Sequence, residues 1–150
     1  PARIDYHASG YISDKHWSIY DEPLRQNSKV TSASYYDNKE NNLEAETLNV
    51  YPDQQNEPSV IRYYDDFDEK RNQLIEAKEL FNEDEKKHRD DGLPAVIVYD
   101  KNGNIIKQEF WENGMQMQIE YFKDGLLHNE NDLPAVITAP SYTNLTLPTI

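Results

Sequence analysis

Residues 91–125 read DGLPAVIVYDKNGNIIKQEFWENGMQMQIEYFKDG, and four Asn-Gly or Asp-Gly pairs punctuate them: Asp91-Gly92, Asn102-Gly103, Asn113-Gly114 and Asp124-Gly125. Each pair follows the last by 11 residues, and together they hold four of the chain's five glycines. Asn-Gly and Asp-Gly tolerate positive φ at both central positions of a type I′ turn, whose twist matches that of two hairpin strands. Between two of the turns runs Met115-Gln116-Met117-Gln118-Ile119-Glu120-Tyr121, strictly apolar then polar. That alternation predicts a strand with one covered face. The expected architecture is all-β: an elongated antiparallel meander of repeated hairpins, with hairpin turns at these pairs.

The totals agree with thin sheets rather than a thick core. Hydrophobic residues make up 37% of 150, and mean hydropathy is −0.94. There are 11 tyrosines against four phenylalanines and two tryptophans. Tyrosine packs on a pleated surface while its hydroxyl stays wet. The net charge of −13 disfavours nucleic acid and anionic membrane, both of which attract Lys and Arg. No apolar run reaches the roughly 18 residues of a membrane-spanning helix. The chain has no cysteine, which excludes disulfides and thiolate chemistry. No signal-peptide pattern opens the sequence, although Pro1 suggests a processed start; a cytoplasmic location is favoured over a secreted one.

An internal repeat organises the chain. Pro1-Ala2-Arg3-Ile4-Asp5-Tyr6, Pro58-Ser59-Val60-Ile61-Arg62-Tyr63 and Pro94-Ala95-Val96-Ile97-Val98-Tyr99 share one pattern, and Pro134-Ala135-Val136-Ile137 opens a fourth copy. Self-similarity at this period is the signature of a repeat array. The units fall near 1–26, 27–57 (degenerate), 58–93 and 94–133, with another opening at 134; residues 1–137 form the repeat domain and 138–150 a tail. The N-terminal unit runs through Ser18-Ile19-Tyr20 into a turn at Asp21-Glu22-Pro23. The degenerate unit reads as a hairpin, Ala33–Tyr36 and Leu43–Tyr51 flanking Asp37–Asn42. A polar loop, 52–57, follows it. The tail carries Pro140 and Pro148 and the sequon Asn144-Leu145-Thr146, which counts only in a secretory route.

One stretch sets local propensity against the repeat. Between Asp65 and Arg89, Leu74, Ala77, Lys78 and Phe81 recur at helical spacing in Glu-, Lys- and Leu-rich sequence. The repeat instead aligns Glu79-Leu80-Phe81 with Glu109-Phe110-Trp111, making Leu74–Phe81 a strand. In that register about six extra residues enlarge the loop Asp65–Gln73.

The segments HRDDGLPAVIVYDKNGNIIKQEFWENG and EYFKDGLLHNENDLPAVI resemble the variant MORN repeats of YwqK-type bacterial antitoxin-like proteins, and are closer in style to the repeat arrays of giant-virus proteins. The resemblance covers roughly residues 1–26 and 58–137. It implies a string of β-hairpins used for binding or scaffolding, and it brings no catalytic residues.

The sequence offers no catalytic motif, cofactor or metal site. His88 and His128 occupy equivalent slots 40 residues apart, too far along the array to share an ion; each is read as a hydrogen-bonded imidazole bracing the turn before a Pro-Ala-Val-Ile strand. Asp65-Asp66-Phe67-Asp68-Glu69 lacks calcium-loop spacing. The candidate binding residues are aromatic: Tyr63, Tyr99, Phe110, Trp111, Tyr121 and Phe122. Neighbours in a strand point to opposite faces, so doublets such as Phe110-Trp111 put one ring on each side, and ladders of such rings mark an interface; the plainer reading is cross-strand pairing that only stabilises the sheet. The expected function is non-enzymatic, binding another protein or the chain's own copies through a sheet face or edge, with weak salt-promoted homodimerisation. The alternative is an acidic inhibitor or antitoxin-like protein that occupies a basic site on its target.

Overall fold

The structure is a computed structural model and describes residues 3–18, 30–37, 42–48 and 57–139. The turn expected at 21–23, residues 49–51, most of the loop 52–57 and the tail from 140, with its sequon, lie outside these residues. Eleven strands form one antiparallel sheet: β1 Arg3–Tyr6, β2 Ile12–Ser18, β3 Val30–Tyr36, β4 Leu43–Leu48, β5 Val60–Phe67, β6 Gln73–Glu79, β7 Val96–Tyr99, β8 Ile105–Glu112, β9 Met115–Lys123, β10 Leu126–Leu127 and β11 Val136–Thr138. They lie in sequence order across the sheet, except that β10 and β11 run end to end along the outer edge of β9. The all-β meander read from the sequence is the observed fold. Residues 73–79 are strand rather than helix, because antiparallel partners on both sides satisfy their backbone groups and override local propensity.

Four hairpins share one construction. In each, a tyrosine or its neighbour shifts register so that the partner strand skips a residue: Tyr6 faces Ile12, Tyr36 faces Leu43, Tyr63 faces Ile75 and Tyr99 faces Ile105. The skipped residues are Ser13, Glu44, Glu76 and Ile106, each an extra residue that sharpens the local twist. The middle hairpin, degenerate by sequence, carries the same bulge; register, not residue identity, is what it keeps. Alternation from these pairs places Tyr6, Tyr36, Tyr63 and Tyr99 with Ile12, Leu43, Ile75 and Ile105 on one face of the sheet.

The turns differ from the sequence expectation. Only Asn113-Gly114 and Asp124-Gly125 are two-residue hairpin turns, with φ of 47° and 82°, and 52° and 78°. Asn102-Gly103 belongs to a five-residue turn in which Asp100 N–H donates to Asn104 O at 2.8 Å and Gly103 N–H to Asp100 O at 3.1 Å. The same pattern closes 7–11, 68–72 and 82–86. The fourth position has positive φ each time, in Gly10, Arg71, Glu85 and Gly103. Three of these turns open with Asp or Asn whose Oδ1 accepts the N–H of the third and fifth residues: Asp68 from Lys70 and Asn72, Asn82 from Asp84 and Lys86, Asp100 from Asn102 and Asn104. A short side chain that satisfies two loop amides defines such a turn better than glycine does.

Asp91-Gly92 is not a hairpin turn. It tips an excursion, residues 88–94, that leaves the strand lane after Lys87 and rejoins it at Ala95. Asp91 and Gly92 both have positive φ, as do Asn131 and Asp132 at the matching place one unit later. Arg89 Nη1 braces the first excursion by donating to Pro94 O at 3.1 Å, and Asn129 Nδ2 braces the second through Pro134 O at 3.0 Å. The six extra residues of unit 58–93 do not enlarge a loop either. The turn is still five residues, Asp68–Asn72, and the surplus lengthens both strands, with Tyr64-Asp65-Asp66 set opposite Leu74 alone. One added pair, Phe67–Gln73, extends the ladder, and the bulge of three residues opposite one takes up the rest.

Among the described residues only Ala77, Leu80, Ala95 and Val96 are buried hydrophobics. They sit in β6, at the start of β7 and beside them, where the excursion and two full strands converge. Met115 and Met117, expected on a covered face, are about two-fifths exposed (41% and 38%), because the described residues form one sheet with no second layer over the end of β9.

Candidate functional site

Register places Tyr63, Tyr99, Phe110 and Phe122 on the tyrosine-bearing face and Trp111 and Tyr121 on the other. The six residues therefore do not converge on one patch. Several rings have local work. The Tyr63 hydroxyl donates to Glu46 Oε1 at 2.6 Å; burial, then this bond to a carboxylate, pushes its ionisation well above the ordinary tyrosine range. Tyr64, in the bulge, donates to Tyr99 O at 2.6 Å, and burial first, then the charges of Glu76 and Asp100, raise its phenol too. Lysines roof other rings. Lys15 Nζ stands 5.0 Å from the Tyr36 centroid, Lys78 5.6 Å from Tyr99 and Lys87 5.0 Å from Trp111.

On the Trp111 side Glu79 is almost buried, 8% exposed. Arg62 Nη2 reaches it at 3.4 Å and Lys87 Nζ at 3.6 Å, so its charge is compensated from two sides. A groove of about 330 Å³ runs between the excursion 88–93 and the ends of β8 and β9, lined by Arg89, Leu93, Phe110, Trp111 and Met117. Trp111 Nε1 and Arg89 Nε are buried here without a partner among the described residues.

His88 is the joint of the molecule. Its Nε2–H donates to Asp90 Oδ1 at 2.6 Å, which fixes the tautomer and leaves Nδ1 to accept Asn113 N–H at 3.1 Å. Beside it Lys87 O accepts Gly114 N–H at 2.9 Å. The excursion of one unit thus holds the hairpin tip of the next. This is the bracing imidazole expected from the sequence, and its target, a turn 25 residues on, had no local signal. His128 takes the equivalent place, its Nε2 3.6 Å from Glu130 Oε1.

No family model matches the chain, and neither a curated protein nor a solved structure matches it. Among the described residues no cluster of three His, Asp or Glu side chains forms a metal-binding set, and no helix is long and apolar enough to cross a membrane. The residues that sequence reasoning missed are at the open edge: Leu126 (72% exposed), Leu127 (52%) and Leu133 (58%) are the barest leucines. Their signal was the recurrence of Leu93-Pro94-Ala95-Val96-Ile97 as Leu133-Pro134-Ala135-Val136-Ile137.

Proposed function

We propose that the chain is a non-enzymatic repeat module that binds protein through the faces and edges of a single-layer sheet, in the manner implied by its resemblance to MORN-variant repeats. The observation that carries this reading is the shortage of a core. Four hydrophobic side chains are buried among the described residues while fourteen large ones are exposed, and apolar surface left open in this way is available for interaction. The groove beside Trp111 and Met117 adds an aromatic anchor with a polar rim, the composition of interface centres.

The acidic-inhibitor alternative needs carboxylates gathered on one face and free to meet a basic target. Several described carboxylates are already engaged: Asp68 and Asp100 close their own turns, Glu79 lies between Arg62 and Lys87, and Asp66 meets Lys101 Nζ at 2.6 Å. That weighs toward the first reading.

The test is affinity capture from native lysate with the immobilised chain and two groove variants, Trp111→Ala and Met117→Asp. Protein retained by the wild type and lost from both variants supports binding through this face. If wild type and variants retain the same proteins as bare resin, the reading fails.

A further inference from the structure

The lane formed by β10 and β11 repeats the lane formed by Lys87 and β7, but the earlier lane has a neighbour on its far side and the later one, among the described residues, does not. Three contacts dock β8 and its tip onto the earlier lane: Ala95 N–H to Glu109 O at 2.9 Å, Gly114 N–H to Lys87 O at 2.9 Å, and Asn113 N–H to His88 Nδ1 at 3.1 Å. The equivalent groups of the later lane are Ala135 N–H, Leu127 O and His128 Nδ1. The equivalence is geometric as well as sequential. Tyr121 N–H donates to Ala135 O and His128 N–H to Tyr121 O, as Leu80 N–H donates to Ala95 O and His88 N–H to Leu80 O.

We infer that this vacant lane edge receives the β1–β2 hairpin of a second copy of the chain, joining copies head to tail. The inference deepens the proposed function and rests on it. Three features choose this occupant. Among the described residues the sheet has ten lanes, an even number, so a copy continuing the sheet presents β1 antiparallel to β11. In the internal template, the residue opposite Val96 is Glu109, four before the tip residue Asn113; Ile4 set opposite Val136 brings the tip of β1–β2, residues 7–11, beside His128 in the same way. That register also keeps the faces continuous, Ile4 and Tyr6 lying on the same side as Val136 and Leu127.

Both edges are apolar where they would meet. Val136, Ile137, Leu127, Ile4 and Tyr6 are all exposed. The charges of β1 are already matched, Arg3 Nε standing 2.6 Å from Asp5 Oδ2, so pairing strands no new charge. With its two charges paired to each other, β1 offers an open edge whose charges do not oppose pairing with another strand. A two-fold β11–β11 pairing would offer no hairpin tip to Leu127 and His128, because no described hairpin follows β11. Each copy carries −13, so association strengthens as salt screens that repulsion.

The test uses the absence of cysteine from the chain. Two single-cysteine proteins, Arg3→Cys and Ile137→Cys, sit opposite each other in the proposed register. Mixed at high salt in a glutathione redox buffer, they should form the mixed disulfide dimer several-fold in excess of either homodimer. Tyr121 N–H to Ala135 O and Ala139 N–H to Met117 O turn alternate positions toward β9, leaving the N–H groups of Val136 and Thr138 directed outward. Val136→Pro in the Ile137→Cys protein should abolish the cross-link while circular dichroism stays that of the parent. Predominant Ile137→Cys homodimers would overturn the inference, and so would a strictly monomeric wild type in sedimentation at high salt. Either failure leaves the proposed function standing if the groove variants still lose a captured protein.

Discussion

Gly114 and Arg71 occupy the same kind of backbone with opposite consequences. Gly114 has φ of +82° and Lys86 Cβ 3.4 Å from where its own Cβ would stand. A β-branched side chain there is strained by the backbone and crowded by Lys86, so Gly114→Val is expected to cost more than about 1 kcal/mol. Arg71, at φ 64°, fills the turn position that Gly103 fills at 83°. Left-handed backbone costs a side-chain-bearing residue about 1–2 kcal/mol, part of which glycine gives back as unfolded-state entropy. Arg71→Gly should therefore be neutral to stabilising by roughly 0.5 kcal/mol. Thermal unfolding of the two variants checks both signs; a Gly114→Val protein that melts with the wild type would refute the tight-turn assignment. Which glycines need positive φ was legible from the Asn-Gly and Asp-Gly pairs. That arginine and glutamate share this backbone was not, because no local pattern announces a residue held there by the strands around it.

At the scale of elements, the five-residue turns make the hairpins acid-sensitive. The carboxyls of Asp68 and Asp100 are held below the ordinary carboxylate range, first by the backbone N–H of Asn72 and Asn104, and further by those residues' side-chain amides and by a second turn N–H. A folded-state value below the unfolded one contributes stability that is present above the unfolded pKa and lost as pH falls through the folded pKa. Denaturant unfolding measured downward from neutral pH should thus lose stability as pH drops through and below about 4. The double variant Asp68→Asn, Asp100→Asn keeps the acceptor oxygen without the charge, and should show a shallower decline over that window. An unchanged slope would mean that other carboxylates govern the acid limb. The Asn102-Gly103 turn was legible, whereas the role of Asp100 as acceptor of two loop amides emerged from the geometry of the closed loop.

Across the whole molecule, stability should be graded from the centre to the edges. The buried hydrophobics gather where β6 and β7 meet the excursion, and β5 to β9 are strands with neighbours on both sides. Hydrogen exchange should therefore be slowest at amides such as Ala77 and Ile97 and fastest in β1 and β11. Equal protection from edge to centre would contradict a single-layer sheet. The strand reading of Leu74–Phe81, which the structure sets at Gln73–Glu79, the order of the hairpins and the equivalence of His88 and His128 were legible in the sequence alone, because repeated residues at repeated offsets demand repeated backbone pairing. The tertiary structure alone decided that Asn102-Gly103 sits in a five-residue hairpin turn and Asp91-Gly92 in none, that an insertion lengthens strands rather than a loop, and that Met115 and Met117 stand open. It also decided which groups of the last lane have no neighbouring strand among the described residues. The reason is physical: local sequence sets which turns and strands are favourable, but the partner of each backbone group and the cover over each side chain depend on which lane lies beside it, and that is a property of the assembled sheet.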